Sequence, residues 1–525
     1  MSAIAVCAAI GAGSFLLQIW PRLRNRYFGI DTWRHLMVAD QVRQHGRLPG
    51  RLPEKYLIDM PLDYPPVLRL LLAIFPKRVI EEGQWLISPL FDLLHSVLLF
   101  TVTYTVTGQL TCAALAQLLY ALSPLVAMEA SSLTTRSLAS LLCSCAMVAL
   151  LAYPIWTHPA LYGIALFFLT LLVLTHRMAI QAMTMLLIVW SVVDLSWYYV
   201  GSLFIATAIA TLVSGGYYLK VLRGHLSMFI YWRSHMRDRF SHQIRGAPSQ
   251  AWKSPDVVFR LYELTERIPF LPVMVANPWT LLAAAMPLVQ IWRGPLDLFQ
   301  MPTDYFVKLW QWATMLLGIG LAVRVIPALR FIGEGERYLE YAAFPSGIIV
   351  AVMVINGGQG AMAPWVIAGA VLLAVVGCLG PLLYVQRRVV LRDRDRSVTP
   401  ELRQIFEVIN RLPGEVRLGS VPLYLVSAAE YFTKARVLST DSGWAHVTHL
   451  SEFFPVLRRP LAEIIEKYDL THLLISERYV SLAELKMAEA PVVCRVGAFC
   501  LLNVSLRPVV TAERPVPATA VPEWQ

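Results

Sequence analysis

A polar stretch between two apolar segments carries the residues best suited to chemistry. Asp31 is followed by Arg34 and His35, so a carboxylate, a guanidinium and an imidazole fall within little more than one helical turn. A carboxylate placed in this way can accept a proton as a general base, bind a metal ion or cap a helix. We expect Asp31 to be the catalytic base, with Arg34 and His35 binding substrate.

The same stretch ends in a second motif, Asp63-Tyr64-Pro65-Pro66. Two consecutive prolines fix the backbone and remove two hydrogen-bond donors, which suits a sharp return of the chain to the membrane. A turn without further role is one interpretation of the motif. Substrate binding by Asp63 and Tyr64 is the functional one.

Charged residues at the ends of apolar segments are further candidates for substrate binding. Glu129 and Arg136 flank a short loop rich in Ser and Thr, and His176-Arg177 ends another apolar segment. Such side chains can hold an acceptor hydroxyl, a metal ion or a phosphate. The alternative is that each charge only reaches from a helix end to the membrane surface.

Glu336-Arg337-Tyr338 follows two glycines just before a late apolar segment. A guanidinium at the membrane edge can bind two phosphate oxygens at once, so the motif is a candidate phosphate site. Pairing of Arg337 with Glu334 or Glu336 is the alternative.

The composition places these residues in a membrane protein. Of 525 residues, 57% are hydrophobic and 15% charged, and the mean hydropathy is +0.55, which predicts a polytopic α-helical membrane protein. The net charge is +10, but the basic residues fall in loops between apolar segments. Membrane lipids or a lipid phosphate are therefore the expected partners, and nucleic acid is not.

A span needs about 20 apolar residues, which predicts about eleven transmembrane helices in a module of residues 1–390. They lie near residues 3–20, 86–107, 109–128, 137–153, 159–175, 178–194, 198–217, 273–292, 305–325, 338–355 and 363–385. A long first loop, 21–85, follows the first span. In it, residues 32–45 are predicted to form an amphipathic helix that begins beside Asp31 and ends at Gly46. The basic, aromatic segment 218–272 is predicted to lie at the membrane interface.

The composition changes to that of a soluble domain after residue 396. Helices at 400–411 and 460–468 alternate with short apolar strands at 416–421, 435–438, 472–475, 492–496 and 499–504. This alternation predicts a small C-terminal α/β domain over 397–507, followed by a flexible tail, 508–525. With an odd number of spans, the first loop and this domain lie on one side. Their arginines would place that side in the cytoplasm, but long loops weaken the rule, so charge leaves the orientation open.

Several short motifs together resemble the GT-C superfamily of membrane glycosyltransferases, which use sugars linked to polyprenyl phosphates. They are Asp31-Thr-Trp-Arg-His35, Asp63-Tyr-Pro-Pro66, Ser123-Pro124 with Thr135-Arg136, Leu174-Thr-His176 and Gly335-Glu-Arg337-Tyr338. The resemblance implies a catalytic carboxylate at Asp31 and a donor phosphate held by Arg337, Arg136 and His176. It also implies a cytoplasmic N-terminus, with the active site and C-terminal domain on the extracytoplasmic side of the inner or plasma membrane.

Two features depart from the family. Oligosaccharyltransferases carry Trp-Trp-Asp in their outer domain, where this chain has only Asp441-Ser-Gly-Trp444. A paired acidic motif for a metal is not evident, so Mg²⁺ or Mn²⁺ would have only Asp31 and Glu129 as ligands.

These features favour transfer of a sugar, with inversion, from a polyprenyl phosphate to a hydroxyl of a lipid-linked or exported glycan or of a protein. The alternatives are en bloc glycan transfer like that of oligosaccharyltransferases, a polyprenyl-lipid transporter or flippase, and a noncatalytic subunit. A transporter would be expected to carry charges near the middle of its spans.

Overall fold

A helical bundle is joined to a small sheet domain in the computed structural model, which describes residues 2–239, 241–246, 268, 270–357, 363–394, 396–439 and 443–505. The helices within those residues are α1 Ala3–Arg24, α2 Asp31–His45, α3 Val67–Ile74, α4 Lys77–Thr107, α5 Leu110–Ala121, α6 Pro124–Glu129, α7 Arg136–Trp156, α8 Pro159–Val173, α9 Arg177–Val193, α10 Tyr198–Val213, α11 Tyr217–His235, α12 Leu271–Ala276, α13 Pro278–Ala284, α14 Met286–Arg293, α15 Thr303–Val325, α16 Ala343–Gly357, α17 Ala363–Ala374, α18 Gly380–Val389, α19 Pro400–Arg411, α20 Val426–Phe432, α21 Trp444–Val447 and α22 Leu461–Lys467.

The apolar helices make the chain a multi-pass membrane protein. In the part of the chain that is described, five helices are long and apolar enough to cross a membrane: Ala3–Arg24, Lys77–Thr107, Arg136–Trp156, Thr303–Val325 and Ala368–Val389. The bent pair α10 and α11 adds a sixth if it counts as one span, and α5, α8, α9 and α16 are shorter apolar helices.

The expected count of about eleven spans is not confirmed, because prolines divide two of the predicted segments. The segment predicted at 273–292 is split into α12, α13 and α14, each with a proline in its first two positions. The segment predicted at 109–128 is split into α5 and α6 at Pro124. A proline lacks the amide hydrogen that would continue the preceding helix.

The predicted first-loop helix is confirmed as α2, which ends at Gly46 with φ +67°. Nine of its fifteen residues are buried. Asp31 is the first residue of α2 and is exposed, and the N-cap position is occupied by Ile30. The capping interpretation is therefore wrong, and the carboxylate faces outward.

The chain turns sharply between α10 and α11. The two helices are bent by 119° at Gly215 and Gly216, whose φ angles are +57° and +79°. Glycine adopts such values without the steric cost that a side chain would bring. The predicted interfacial segment thus begins as helix α11, which packs against the first loop. Residues 247–267 of that segment lie outside the described residues.

The C-terminal domain is a five-stranded mixed sheet with flanking helices. Its strands, β1 Arg417–Val421, β2 Arg436–Val437, β3 His472–Ser476, β4 Val492–Val496 and β5 Phe499–Asn503, lie in the order β2-β1-β3-β5-β4. β1 is parallel to β2 and β3, whereas β5 is antiparallel to β3 and β4. The predicted α/β class is confirmed. The tail 508–525 lies outside the described residues.

The first loop packs directly against the C-terminal domain. Tyr56 forms a parallel bridge with Val437 of the edge strand β2, and its hydroxyl donates to Glu430 Oε2 at 2.8 Å. Trp33 of α2 is buried and lies 4.8 Å from the ring of Phe432, between centroids. The domain therefore positions α2, and with it Asp31.

Candidate functional site

Arginines and glutamates from three segments meet at Glu129, in what we call the Glu129 cluster (Glu129, Arg136, Glu334, Arg337 and Glu340). Arg136 Nη1 lies 2.7 Å from Glu129 Oε1, and Arg337 Nη1 lies 2.5 Å from the same oxygen. Arg337 Nε also donates to Glu334. The side chain of Arg337 is 27% exposed, so the cluster is open to a ligand on one side.

A close crossing of two glycines brings Arg337 to this position. The 3₁₀ segment Gly335–Glu340 crosses α15 where Gly335 meets Gly320, and a Cβ on Gly335 would lie only 2.1 Å from the Gly320 carbonyl oxygen. Tyr338 is fully buried and accepts a hydrogen bond from Gln181 Nε2 at 2.6 Å. Tyr338 thus anchors the segment, and Glu336 beside it is half-buried.

A second group, the Asp63 cluster (His35, Asp63, Tyr64, Arg69 and Arg177), lies on the first-loop side. Asp63 is buried, with Oδ1 2.9 Å from Arg177 Nη2. The Tyr64 ring lies between Arg69 and Arg177, whose guanidinium carbons are 4.8 and 5.4 Å from the ring centroid. These contacts fix the position of the Asp-Tyr-Pro-Pro motif. The buried Asp63 carboxylate pairs with Arg177 and holds its guanidinium in place.

The C-terminal domain and α11 also contact Asp63. Its Oδ2 accepts from the backbone amide of Ala445 at 2.8 Å. Gly224 of α11 packs so closely that a Cβ there would lie 2.2 Å from the same oxygen. Four separate parts of the chain therefore converge on one carboxylate.

His35 is buried in this cluster beside two arginines. Arg69 Nε lies 3.5 Å from His35 Nδ1 and donates to it. Burial, reinforced by the charges of Arg69 and Arg34, holds the pKa of His35 well below its usual value, so the imidazole is neutral and accepts a hydrogen bond. Arg34 is itself buried within α2.

Two hydrogen bonds join the clusters. The Tyr64 hydroxyl lies 3.0 Å from Thr135 Oγ1, directly before Arg136. His176 Nδ1 lies 2.9 Å from the Tyr341 hydroxyl, directly after Glu340. Burial, with the neighbouring charges of Arg136 and Arg177, keeps the pKa of His176 well below its usual value. The predicted residues from 35 to 338 thus form one contiguous polar region.

Asp31 lies beside this region rather than inside it. Thr32 Oγ1 donates to the Leu133 carbonyl at 3.4 Å, and a Cβ on Gly29 would lie 3.1 Å from Ser132 Cβ. The start of α2 therefore packs on the loop that leads into Arg136. Among the described residues, no side chain forms an ion pair or hydrogen bond with the Asp31 carboxylate.

Two residues of the site were not predicted from the sequence. Arg69 is 1% exposed in the apolar helix α3, and Glu340 accepts from Ser140 at 3.0 Å, with Oε2 3.9 Å from Arg136 Nη1. Arg69 is a single charge within a hydrophobic run, and Glu340 is the last charge before one; such a charge is a signal for a functional or paired residue near a membrane.

A polar network inside the bundle was also missed. Asp92 of α4 accepts from Tyr120 at 2.5 Å, the Tyr120 hydroxyl lies 2.7 Å from His95 Nδ1, and His95 Nε2 lies 2.7 Å from Ser144 Oγ. All four side chains are buried. The network connects α4, α5 and α7 through hydrogen bonds, as polar residues between packed membrane helices do.

The described residues contain no cluster of metal-ligand side chains. Within them, no group of three or more His, Cys, Asp or Glu side chains is placed to hold an ion. The carboxylate of Glu129 already faces two guanidinium groups, which neutralise the charge that a cation would need. Dependence on Mg²⁺ or Mn²⁺ with Asp31 and Glu129 as ligands stays a prediction. Asp441 lies outside the described residues.

No family model and no curated protein sequence matches this chain. Solved structures do match in fold. ArnT from Cupriavidus metallidurans, bound to undecaprenyl phosphate, is 14% identical with a TM-score of 0.52, covering 95% of this chain and 97% of ArnT. The oligosaccharyltransferase of Archaeoglobus fulgidus in the apo form is 12% identical with a TM-score of 0.57, covering 90% of this chain and 69% of that one.

A further structure, the Archaeoglobus fulgidus oligosaccharyltransferase AglB in complex with an inhibitory peptide and a dolichol-phosphate, is 13% identical. Its TM-score is 0.55, and the match covers 97% of this chain and 75% of AglB. At such low identity these matches support the fold alone. They cover 90–97% of this chain and so include both the membrane bundle and the C-terminal domain. The expected fold is confirmed.

Proposed function

We propose that this chain, which has the fold of the GT-C membrane glycosyltransferases, transfers a single sugar from a polyprenyl phosphate to a hydroxyl of a lipid-linked or exported acceptor. The observation that carries the proposal is an exposed carboxylate, Asp31, on the helix that packs beside the Glu129 cluster. Transfer from a lipid phosphate to a hydroxyl requires a base and a group of cations. The lipids in the ArnT and AglB structures support this class of donor.

Asp31 is proposed to accept the proton of the acceptor hydroxyl as its oxygen attacks the anomeric carbon. The bond from that carbon to the phosphate oxygen breaks, and the lipid phosphate leaves with the electron pair. Direct displacement inverts the anomeric centre. A positioned base contributes about 10²- to 10⁴-fold in rate.

The leaving phosphate needs positive charge rather than a proton. Arg337 is the proposed contact, because its guanidinium is partly exposed and shares Glu129 with Arg136. A phosphate that takes hydrogen bonds from Arg337 leaves Glu129 still neutralised by Arg136. Such preorganised cations stabilise the charge that develops on the leaving group. Neutral His176 is proposed to donate a hydrogen bond from Nε2 to a phosphate oxygen, while its Nδ1 contacts the Tyr341 hydroxyl.

The reaction is proposed to take place on the extracytoplasmic side, where the polyprenyl-linked sugar would meet exported acceptors. The first loop and the C-terminal domain share one side, because Tyr56 pairs with Val437. A cysteine introduced at exposed Asp469 should react with a membrane-impermeant maleimide in intact cells. Labelling only after lysis would show that the C-terminal domain lies on the cytoplasmic side, opposite to the proposal.

The central experiment measures glycosyl transfer by the purified protein on a panel of polyprenyl-phosphate sugars, with lipid-linked glycans and peptides as acceptors. Asp31→Asn should lower turnover about 100-fold or more while donor binding is retained. Glu82→Gln, which changes an exposed carboxylate near the start of α4, is the matched control and should keep wild-type turnover. Equal turnover by Asp31→Asn and wild type would contradict the base. EDTA tests the metal separately.

A further inference from the structure

A two-part groove, here the Leu48 groove, runs from the bend between α10 and α11 along the outer part of the first loop. The membrane-side part has a volume of about 430 Å³ and is lined by Leu48, Pro66, Leu70, Val213, Tyr217 and Lys220. The outer part has a volume of about 450 Å³ and is lined by His45, Arg47, Leu48, Arg51 and Glu54. Leu48 lines both parts, so the two parts adjoin at this residue.

The membrane-side part has apolar walls that are open to lipid. Leu70 of α3 is 42% exposed and Val213 at the end of α10 is 76% exposed. Leu70 lies in the apolar helix α3, and Val213 is the last residue of the apolar helix α10. Apolar side chains exposed together on such helices favour contact with a hydrocarbon tail.

The charge of the groove is positive where its two parts meet. Lys220 is exposed, and its Nζ lies 3.3 Å from where a Cβ on Gly50 would be and 5.8 Å from the Tyr217 ring centroid. In the described part of the chain, no carboxylate pairs with Lys220. Farther out, Arg47 is exposed and Arg51 pairs with Asp59 at 3.1 Å. Glu54 also lines the outer part, so the positive charge of the groove is concentrated at Lys220 and Arg47. An apolar wall beside an ammonium matches an anionic amphiphile.

We propose that the Leu48 groove binds the acceptor, a lipid whose phosphate or diphosphate joins an apolar tail to a glycan; this assignment rests on the proposed function above. The tail lies against Leu70 and Val213, and the phosphate faces Lys220. The groove reaches Pro66, two residues after Tyr64, whose hydroxyl contacts Thr135 beside Arg136. The acceptor therefore approaches from the first-loop side, opposite the donor phosphate at Arg337.

Binding of dansyl-labelled farnesyl diphosphate to the full-length protein in phosphatidylcholine nanodiscs tests the groove. Lys220→Gln should raise the Kd about fivefold, the factor for one lysine facing an anionic lipid surface. Binding of labelled farnesol, which has the same tail without charge, should not change. Arg223→Gln is the matched control, because Arg223 is exposed on the same helix but does not line the groove. Both side chains are exposed, so neither change threatens folding.

An unchanged Kd in Lys220→Gln would overturn the proposal, as would an equal loss in Arg223→Gln or with farnesol. Displacement of the probe by phosphatidylglycerol at the concentration of the probe itself would make the groove a general headgroup site and would also overturn it. The donor contact is separable, since Arg337→Gln should leave the Lys220-dependent part of binding intact. The measurement needs no turnover, so a failure of glycosyl transfer and a failure of the groove are seen independently.

Discussion

Replacing Gly224 by alanine should disrupt the convergence of four chain segments on Asp63. A Cβ at this position would lie 2.2 Å from Asp63 Oδ2 and 2.5 Å from Cγ, whereas ordinary contact begins at 3.4 Å. The carboxylate or α11 must therefore move by about 1.2 Å, the difference between those two distances. A shift of this size exceeds the range of donor–acceptor distances over which the hydrogen bonds of Asp63 can persist.

The expected cost follows from those bonds. Oδ1 lies 2.9 Å from Arg177 and Oδ2 lies 2.8 Å from the Ala445 amide, so a shift of this size breaks at least one of them. Overpacking typically costs about 1–3 kcal/mol, and separating a buried ion pair costs about 3–5 kcal/mol. We expect a loss of about 2–4 kcal/mol in the free energy of unfolding, because part of the strain relaxes into α11.

The assay is SDS- or heat-induced unfolding in detergent, followed by tryptophan fluorescence. Gly201→Ala is the control, because nothing lies within 4 Å of a Cβ there and alanine is favoured in a helix interior. In an Asp63→Gly background, Gly224→Ala should cost less, since all three of the nearest atoms, Oδ2, Cγ and Cβ of Asp63, are gone. A Gly224→Ala protein that unfolds at the same point as wild type would refute the packing argument.

Three further predictions concern the two clusters and the domain contact. Arg337→Gln should lower kcat/KM for the donor about 100-fold, the effect of removing one preorganised donor, with partial recovery in Arg337→Lys; unchanged initial rates would remove Arg337 from the site. His35 is held neutral in the fold, so protons favour the unfolded state, and stability should fall by about 1.3 kcal/mol between pH 7 and 5.5; His35→Gln should remove that part of the pH dependence in melting experiments. Trp33→Ala should cost about 3–5 kcal/mol and increase limited proteolysis at Tyr431 and Phe432, which contact its ring, and a resistant variant would contradict the role of this ring in joining the domain to α2.

Local features of the fold could be predicted because they depend on neighbouring residues. The amphipathic period after Asp31 and the stop at Gly46 define α2, and the alternation of helices and short apolar runs defines the C-terminal domain. The span count is not confirmed for an equally local reason, since Pro124 and Pro278 divide helices within apolar segments.

Contacts across the chain could not be predicted, because no local pattern encodes them. Asp63 and Arg177 are 114 residues apart, and either could have ended at the membrane surface. The crossing of Gly320 and Gly335 depends on the close approach of two backbone segments, which the hydropathy of the sequence does not predict. The grouping of the candidate residues into two joined clusters is therefore a result of the tertiary structure.

The pairing of Tyr56 with Val437 imposes an order on biosynthesis. The two strands of this bridge are separated by about 380 residues, as is the contact of Arg436 with the Tyr56 carbonyl. At about 5–20 residues per second, the ribosome needs roughly 20–75 seconds to reach the partner strand after the first loop has emerged. During that interval Trp33 lacks its contacts with Tyr431 and Phe432 of the C-terminal domain, so this domain does not yet hold the start of α2 in position. The candidate site is thus expected to form last, after the bundle has been inserted, and a chaperone on the side of the first loop would act in that interval.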